Sequence, residues 1–198
     1  MKQYSKFLRS LESMSNKGMI QACNAAGLEK IATGSSRVVY AINDKLVIKI
    51  ALGDAGHLQN QAEMRVHYML DYDFPGWKKY FAKMYPDLSH PRDMFIVMQR
   101  LETKFKGKSQ YCKDLSRATY HPNLVKNRRA QLQRDAVAYM DELLHFSNSR
   151  DLHAGNVGIT DTGIIKLIDF GLSNTVLYRH YSLSDRRKVK KNFLPAYS

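Results

Sequence analysis

The 198-residue sequence is poor in the residues that staple small domains together. It has 2 cysteines, Cys23 and Cys112, and neither a CxxC nor an HxxxH pair. That spacing excludes a disulfide framework and a zinc cluster, and it leaves two thiols of the kind expected in a reducing cytoplasm. No apolar run reaches the length of a membrane span, so no membrane partner is expected. The opening stretch, MKQYSKFLRSLESMSNKG, lacks the apolar core of a secretory signal and reads instead as an amphipathic helix, with Phe7, Leu8, Leu11 and Met14 on one side. Acidic residues are also scarce, 18 against 31 Lys and Arg, for a formal net charge of +13. Such a balance favours nucleic acid, a ribonucleoprotein, nucleotide phosphates or an acidic protein as partner, and equally describes a plain basic surface. What is present, 44% hydrophobic and 25% charged residues, fits a folded chain with one core or two small lobes.

Periodicity gives a coarse layout. Residues 1–26 read as helical, ending near Gly27. Three short strands follow at Leu28–Thr33, Arg37–Ile42 and Lys45–Ala51, with a break at Gly34-Ser35-Ser36 and a tight turn at Asn43-Asp44. HLQNQAEMRVHYMLD, residues 57–71, has helical period, with Leu58, Ala62, Val66, Met69 and Leu70 on one face. FAKMYPDLS and MFIVMQRLE, residues 81–89 and 94–102, read as two further strands. From Glu102 the chain turns basic, as a loop or short helices: Lys104, Lys106, Lys108, Lys113, Arg117, Lys126, Arg128, Arg129 and Arg134 are opposed only by Asp114 before Asp135. Arg128–Ser147 reads as a helix with Leu132, Ala136, Tyr139, Met140, Leu143 and Leu144 as its stripe. Val157–Ile159 and Ile164–Ile168 read as strands joined by a TDTG hairpin turn. The last residues, including RRKVKK, read as a short basic tail.

Several polar residues are placed awkwardly for a purely structural chain. Lys49 lies inside LVIKI, where an ammonium is costly unless it meets an anion. Glu63, on the following helix and on the side shared with Gln59, Val66 and Leu70, is its natural partner; an edge-strand lysine snorkelling to water is the plain alternative. Asp151 and Asn156 are five apart around LHAG, and Asp169 follows the apolar run Ile164–Ile168. Oxygen donors of this kind suit Mg²⁺ beside phosphates, and a remaining carboxylate can orient or deprotonate a hydroxyl. The same residues also serve as loop caps at strand ends.

Taken together they are more specific. RDLHAGN resembles the catalytic loop of the protein kinase superfamily, in the DLHxGN form common among kinase-like small-molecule phosphotransferases, and IDFG resembles its metal-binding DFG. LVIKI resembles the strand-three lysine motif, and Glu63 the helix-C glutamate. TGSSRVVY resembles the phosphate loop, nearest to the Rio-type GxxxxVY spacing from Gly34 to Val39-Tyr40. FIVMQRLE is similar to the strand that enters the hinge. The resemblance runs from about Leu28 to Ser173.

It implies an α+β, two-lobed protein kinase-like fold: an antiparallel-sheet N-lobe with a helix C over residues 28–100, a reduced, mainly helical C-lobe over 101–198, and a helical extension at 1–27, all as one domain. It implies ATP and Mg²⁺ as cofactors. Asp151, Lys49 and Glu63 would be catalytic, Asn156 and Asp169 would hold the metal, and His153 would brace the catalytic loop. Gly34, Ser35, Ser36, Arg37, Val39, Lys49, Gln99, Arg100 and Leu101 would line the nucleotide. Departures stand out. The loop has only Gly34, Ser149 stands where the catalytic-loop histidine usually is, and Gly171 is followed by no APE motif or evident activation segment, as in minimal Rio-type kinases. The implied activity is a cytoplasmic protein serine/threonine kinase. A small-molecule kinase of the aminoglycoside or choline type, and a kinase-like ATPase or binding module docked on RNA or a ribonucleoprotein through residues 104–134, are the alternatives.

Overall fold

The computed structural model describes residues 2–120, 122–146, 148 and 152–181. They form a mixed α+β structure whose principal sheet is a four-stranded antiparallel one. Two compact units can be distinguished.

The first unit comprises Met1–Tyr68 and Ala82–Arg100. Its helices are α1 (Lys2–Leu11), α2 (Asn16–Ala25) and α3 (Asp54–Tyr72), the last turn of which belongs to the second unit. Its strands β1 (Glu29–Thr33), β2 (Arg37–Ala41), β3 (Leu46–Ala51) and β4 (Phe95–Gln99) pair in chain order. The β2–β3 connection follows from Asn43, whose Oδ1 accepts from the N–H groups of Lys45 (2.8 Å) and Leu46 (2.9 Å), an Asx turn.

Strand alternation divides the sheet's two faces. Val38, Tyr40, Leu46, Ile48, Ile50, Phe95 and Val97 form one core with Leu8, Leu11, Met19 and Cys23 of α1 and α2. The residues in between, Arg37, Val39, Lys49 and Ile96, have the opposite parity; Lys49 is in register with Val39 on β2 and Ile96 on β4. All of β3 is therefore buried, one face apolar and the other carrying a lysine.

The N-terminal segment departs from a single helix. Ser15 caps α2, its hydroxyl accepting from Gly18 N–H at 3.2 Å, and this start signal breaks the run in two. Nor is the segment a mere extension, because Leu8, Leu11, Met19 and Cys23 are core residues. Tyr40 Oη donates to Asn24 Oδ1 at 2.9 Å, and His90 Nε2 donates to the Glu12 carbonyl at 3.0 Å while its Nδ1 accepts from Arg92 N–H. The strand expected at residues 81–89 is also absent. Pro86 opens a 3₁₀ turn at Pro86–Leu88, and the segment meets β4 through the Met84–Met98 bridge, the bonds from Tyr85 N–H to Val97 O and Gln99 N–H to Lys83 O, and Val97 N–H donating to Ser89 Oγ at 2.9 Å.

The second unit comprises Met69–Phe81 and Leu101–Ser198. It contains α4 (Lys108–Tyr120), α5 (Arg128–Leu144), the hairpin of β5 (Val157–Ile159) and β6 (Ile165–Leu167), and α6 (Asn174–His180). The TDTG turn forms as its chemistry requires: Thr160 N–H donates to Ile164 O, Gly163 N–H donates to Thr160 O, and Gly163 takes the left-handed φ of 79°. The Arg128–Leu144 helix is present but presents a different face from the apolar stripe. Ala130, Gln133, Ala136, Val137, Met140 and Asp141 are buried, whereas Tyr139 and Leu143 are exposed. Gln133 can be buried because Tyr111 Oη donates to its Oε1 (2.5 Å) and its Nε2 donates to Tyr80 O (2.8 Å). Tyr139 instead packs edge-on against the stacked rings of Phe74 and Trp77.

Candidate active site

In the first unit the awkward lysine has its anion. Lys49 Nζ lies 3.0 Å from each carboxylate oxygen of Glu63, and Glu63 Oε1 also receives Arg37 Nη1 at 2.8 Å. Arg37, Lys49 and Glu63 are 6%, 6% and 0% exposed. Desolvating three charges costs several kcal/mol each in isolation, so only mutual pairing makes the arrangement tenable. Backbone geometry supplies the pairing: β2 and β3 put Arg37 and Lys49 on one sheet face, and α3 delivers Glu63 to that face with Gln59 and Val66 buried alongside.

Arg37 was expected to lend charge to a phosphate loop. Its guanidinium instead points to Glu63 and lies 3.4 Å from Asn60 Oδ1. The rest of that loop is an exposed turn at Gly34 and Ser35, closed by Gly34 N–H donating to Arg37 O at 2.8 Å. Ser36 donates its hydroxyl to Gln59 Oε1 at 2.7 Å and accepts Leu52 N–H on its carbonyl at 2.8 Å. Val39 is half-buried beside Lys49 in the ladder.

Asn60, fully buried, was missed by sequence reading. It donates to Asp93 O at 2.9 Å and accepts from Arg37. An asparagine on the same helical side as Glu63 was the available signal. Asp93 itself has its carboxyl raised above the ordinary range by burial, with His57 and His90 opposing the shift.

At the end of β4, Gln99 N–H donates to Lys83 O (2.7 Å) and Arg100 N–H to Lys45 O (2.8 Å). The Arg100 side chain bonds Glu29 Oε2 at 2.9 Å and Asn43 O at 3.3 Å. In the second unit, Glu102 exchanges both backbone bonds with Ile159, and Leu101 packs so closely on Gly158 that a Cβ there would lie 2.6 Å from Leu101 Cβ.

The oxygen donors of the second unit sit on loops. Asn156 ends the 3₁₀ turn Ala154–Asn156, is buried, and accepts Ile168 N–H on its carbonyl at 2.9 Å. That bond holds the residue before Asp169 against the backbone of Asn156. His153 caps the 3₁₀ turn, its Nδ1 accepting from Gly155 N–H at 2.9 Å. Phe170 is buried edge-on against Phe81, with ring centroids 5.2 Å apart. Asn148, another residue that sequence reading missed, brackets the loops: its N–H donates to Asp141 Oδ1 (2.9 Å) and its Oδ1 accepts from Leu172 N–H (2.8 Å).

Asp151, with Ser149 and Arg150, lies outside the described residues, as does the RRKVKK tail. No group of three or more His, Cys, Asp or Glu gathers as a metal site among the described residues. An amide oxygen and a carboxylate fit Mg²⁺ nonetheless, since that ion takes few protein ligands and completes its shell with phosphates and water. Of the basic segment, Lys106, Lys113, Arg117, Lys126 and Arg128 are exposed, but Arg129 is turned to the Lys79 and Ile165 carbonyls at 3.2 and 3.0 Å. No helix among the described residues is long and apolar enough to cross a membrane.

No family model matches the sequence, and no curated protein matches it. Among solved structures, an ADP-bound aminoglycoside phosphotransferase, APH(2'')-Ib, is similar at 12% identity and a TM-score of 0.41, over 73% of this chain and 65% of that one. A gentamicin complex of aminoglycoside phosphotransferase APH(2'')-IIa is similar at 13% and 0.45, over 91% and 82%. SAICAR synthase from Saccharomyces cerevisiae is similar at 11% and 0.39, over 72% of each chain. The chain thus spans about two thirds of the length of the first of these, 65%.

Proposed function

We propose that the chain is an ATP- and Mg²⁺-dependent phosphotransferase. The observation that carries this reading is the buried Lys49–Glu63 pair, in which a strand lysine is held by a helix carboxylate at 3.0 Å in a sequence that also contains RDLHAGN and IDFG. Phosphoryl transfer is mostly positioning and charge stabilisation. Lys49, oriented by Glu63, would bind phosphate oxygens. Asn156 and Asp169 would hold Mg²⁺, which supplies charge neutralisation on the nucleotide. Asp151 would orient the acceptor hydroxyl and take its proton. At the end of β4 the N–H groups of Gln99 and Arg100 are already donated, so Leu101 N–H is the donor we assign to an adenine edge.

The acceptor we infer is a protein serine or threonine hydroxyl, in a minimal Rio-like kinase whose basic surface recruits an acidic protein. The DLHAGN form of the loop favours a second reading, a small-molecule kinase. Labelling a cell lysate with γ-³²P-ATP and the wild type, Asp151→Ala or Asp169→Asn protein separates them. Labelled protein bands lost in both variants support the first reading, and label confined to the small-molecule fraction supports the second. Labelling that survives both substitutions overturns the assigned roles.

A further inference from the structure

One face of α3 meets the β1–β2 turn at four successive helical positions. Gly56 lies against the Ser36 carbonyl so closely that a Cβ there would be 2.1 Å from Ser36 O. Gln59 accepts the Ser36 hydroxyl (2.7 Å), Asn60 Oδ1 lies 3.4 Å from Arg37 Nη1, and Glu63 takes Arg37 Nη1 at 2.8 Å. The spacing 56, 59, 60, 63 is the i, i+3, i+4, i+7 stripe of one helix side. Asn60 extends the tie to Asp93 O at 2.9 Å, beside β4. The turn, the helix and the start of β4 are therefore joined by bonded polar groups, and the Glu63 carboxylate that holds Lys49 is one of the joints.

We propose that Arg37 is a positioning residue: it latches the β1–β2 turn onto α3 through Glu63, and so fixes the carboxylate that presents the Lys49 ammonium. This rests on the phosphotransferase reading for its consequence, though not for the latch itself. An arginine suits the task, since it stays charged at every accessible pH and its planar fork fixes direction as well as charge. With Glu63 held from the Arg37 side, α3 does not swing from the sheet without breaking a buried ion pair. Lys49 is then presented by the fold itself, without a separate activating event. Arg37 acts on nucleotide through Glu63 and does not touch phosphate.

A double-mutant cycle on the full-length chain tests this, with Mg²⁺-ATP affinity as one readout and amide hydrogen exchange without nucleotide as the other. Arg37→Ala should weaken Mg²⁺-ATP about 10-fold alone but less than about 2-fold in a Glu63→Gln background, because two residues acting through one joint are not additive. Arg37→Lys should recover part of the loss. In Arg37→Ala, exchange should accelerate together in residues 36–41 and 59–66. An equal loss of affinity in both backgrounds overturns the proposal by making Arg37 a direct phosphate ligand, and unchanged exchange overturns the latch. Should wild type itself fail to bind Mg²⁺-ATP, the phosphotransferase reading falls while the exchange measurement still decides the latch. If Arg37→Ala does not fold, Arg37→Lys and Ser36→Ala carry the same comparison.

Discussion

The two units handle polar residues in opposite ways. In the first, three charges are buried on regular elements, a sheet face and a helix side, and they satisfy one another. In the second, Asn156 and Asp169 sit on loops, and uncharged brackets such as Asn148 and the Ile168–Asn156 bond hold the chain there. A buried ion pair is strong only while complete, whereas a bracketed loop loses one hydrogen bond at a time. The first unit should therefore fail through stability when its site is altered, and the second through positioning.

Glu63→Leu should break this contrast most sharply. It leaves two buried cations without their shared carboxylate, and a loss of about 3–5 kcal/mol is expected, read as a lower denaturant midpoint. Asn148→Ala removes the acceptor for Leu172 N–H and should cost only about 1–3 kcal/mol. On the phosphotransferase reading its larger effect should be on kcat, since it frees Leu172, three residues after Asp169. A Glu63→Leu protein as stable as wild type, or an Asn148→Ala protein with unchanged kcat, would remove the distinction.

Cys23 offers a test by pH. Burial on the core face of α2 pushes its thiol from 9.0 up to about 11, so the native state keeps the proton that the unfolded state has lost. The raised value means that this contribution to stability is present below pH 9 and is lost as pH rises towards 11. Cys23→Ala should flatten that part of the stability curve, and the native thiol should resist iodoacetamide at pH 8. The smallest effect is expected at Ser15. Ser15→Ala loses the α2 cap for about 0.5–2 kcal/mol, and a loss at all in global stability distinguishes a core helix from a detachable extension.

Much of the first unit was legible because strands announce themselves by alternation. LVIKI reads as buried, and its lysine sits where parity and a carboxylate two turns into the next helix demand a pair. What misled sequence reading was polar burial. Gln133 and Asp141 are buried on the same helix as Ala130 and Ala136, because their partners come from Tyr111, Tyr80 and Asn148, which lie 7 to 53 residues away in the chain. The apolar stripe through Tyr139 and Leu143 was therefore rotated from the true face. Phe81–Ser89 looked like a strand by composition, but Pro86 withdraws a donor and turns the chain. Arg37 read as lining the nucleotide because TGSSRVVY resembles a phosphate loop, and its bond to the Glu63 carboxylate, 26 residues on, was not legible in the sequence.

The phosphotransferase account is tested most directly by calorimetric titration of Mg²⁺-ATP into the wild-type chain and into Lys49→Met, with folding of each checked by its denaturant midpoint. It predicts saturable one-site binding to wild type that weakens at least about 10-fold in the variant, the loss of one charge-assisted contact to phosphate. Binding of equal strength to both proteins, or no binding to a folded wild type, would contradict it.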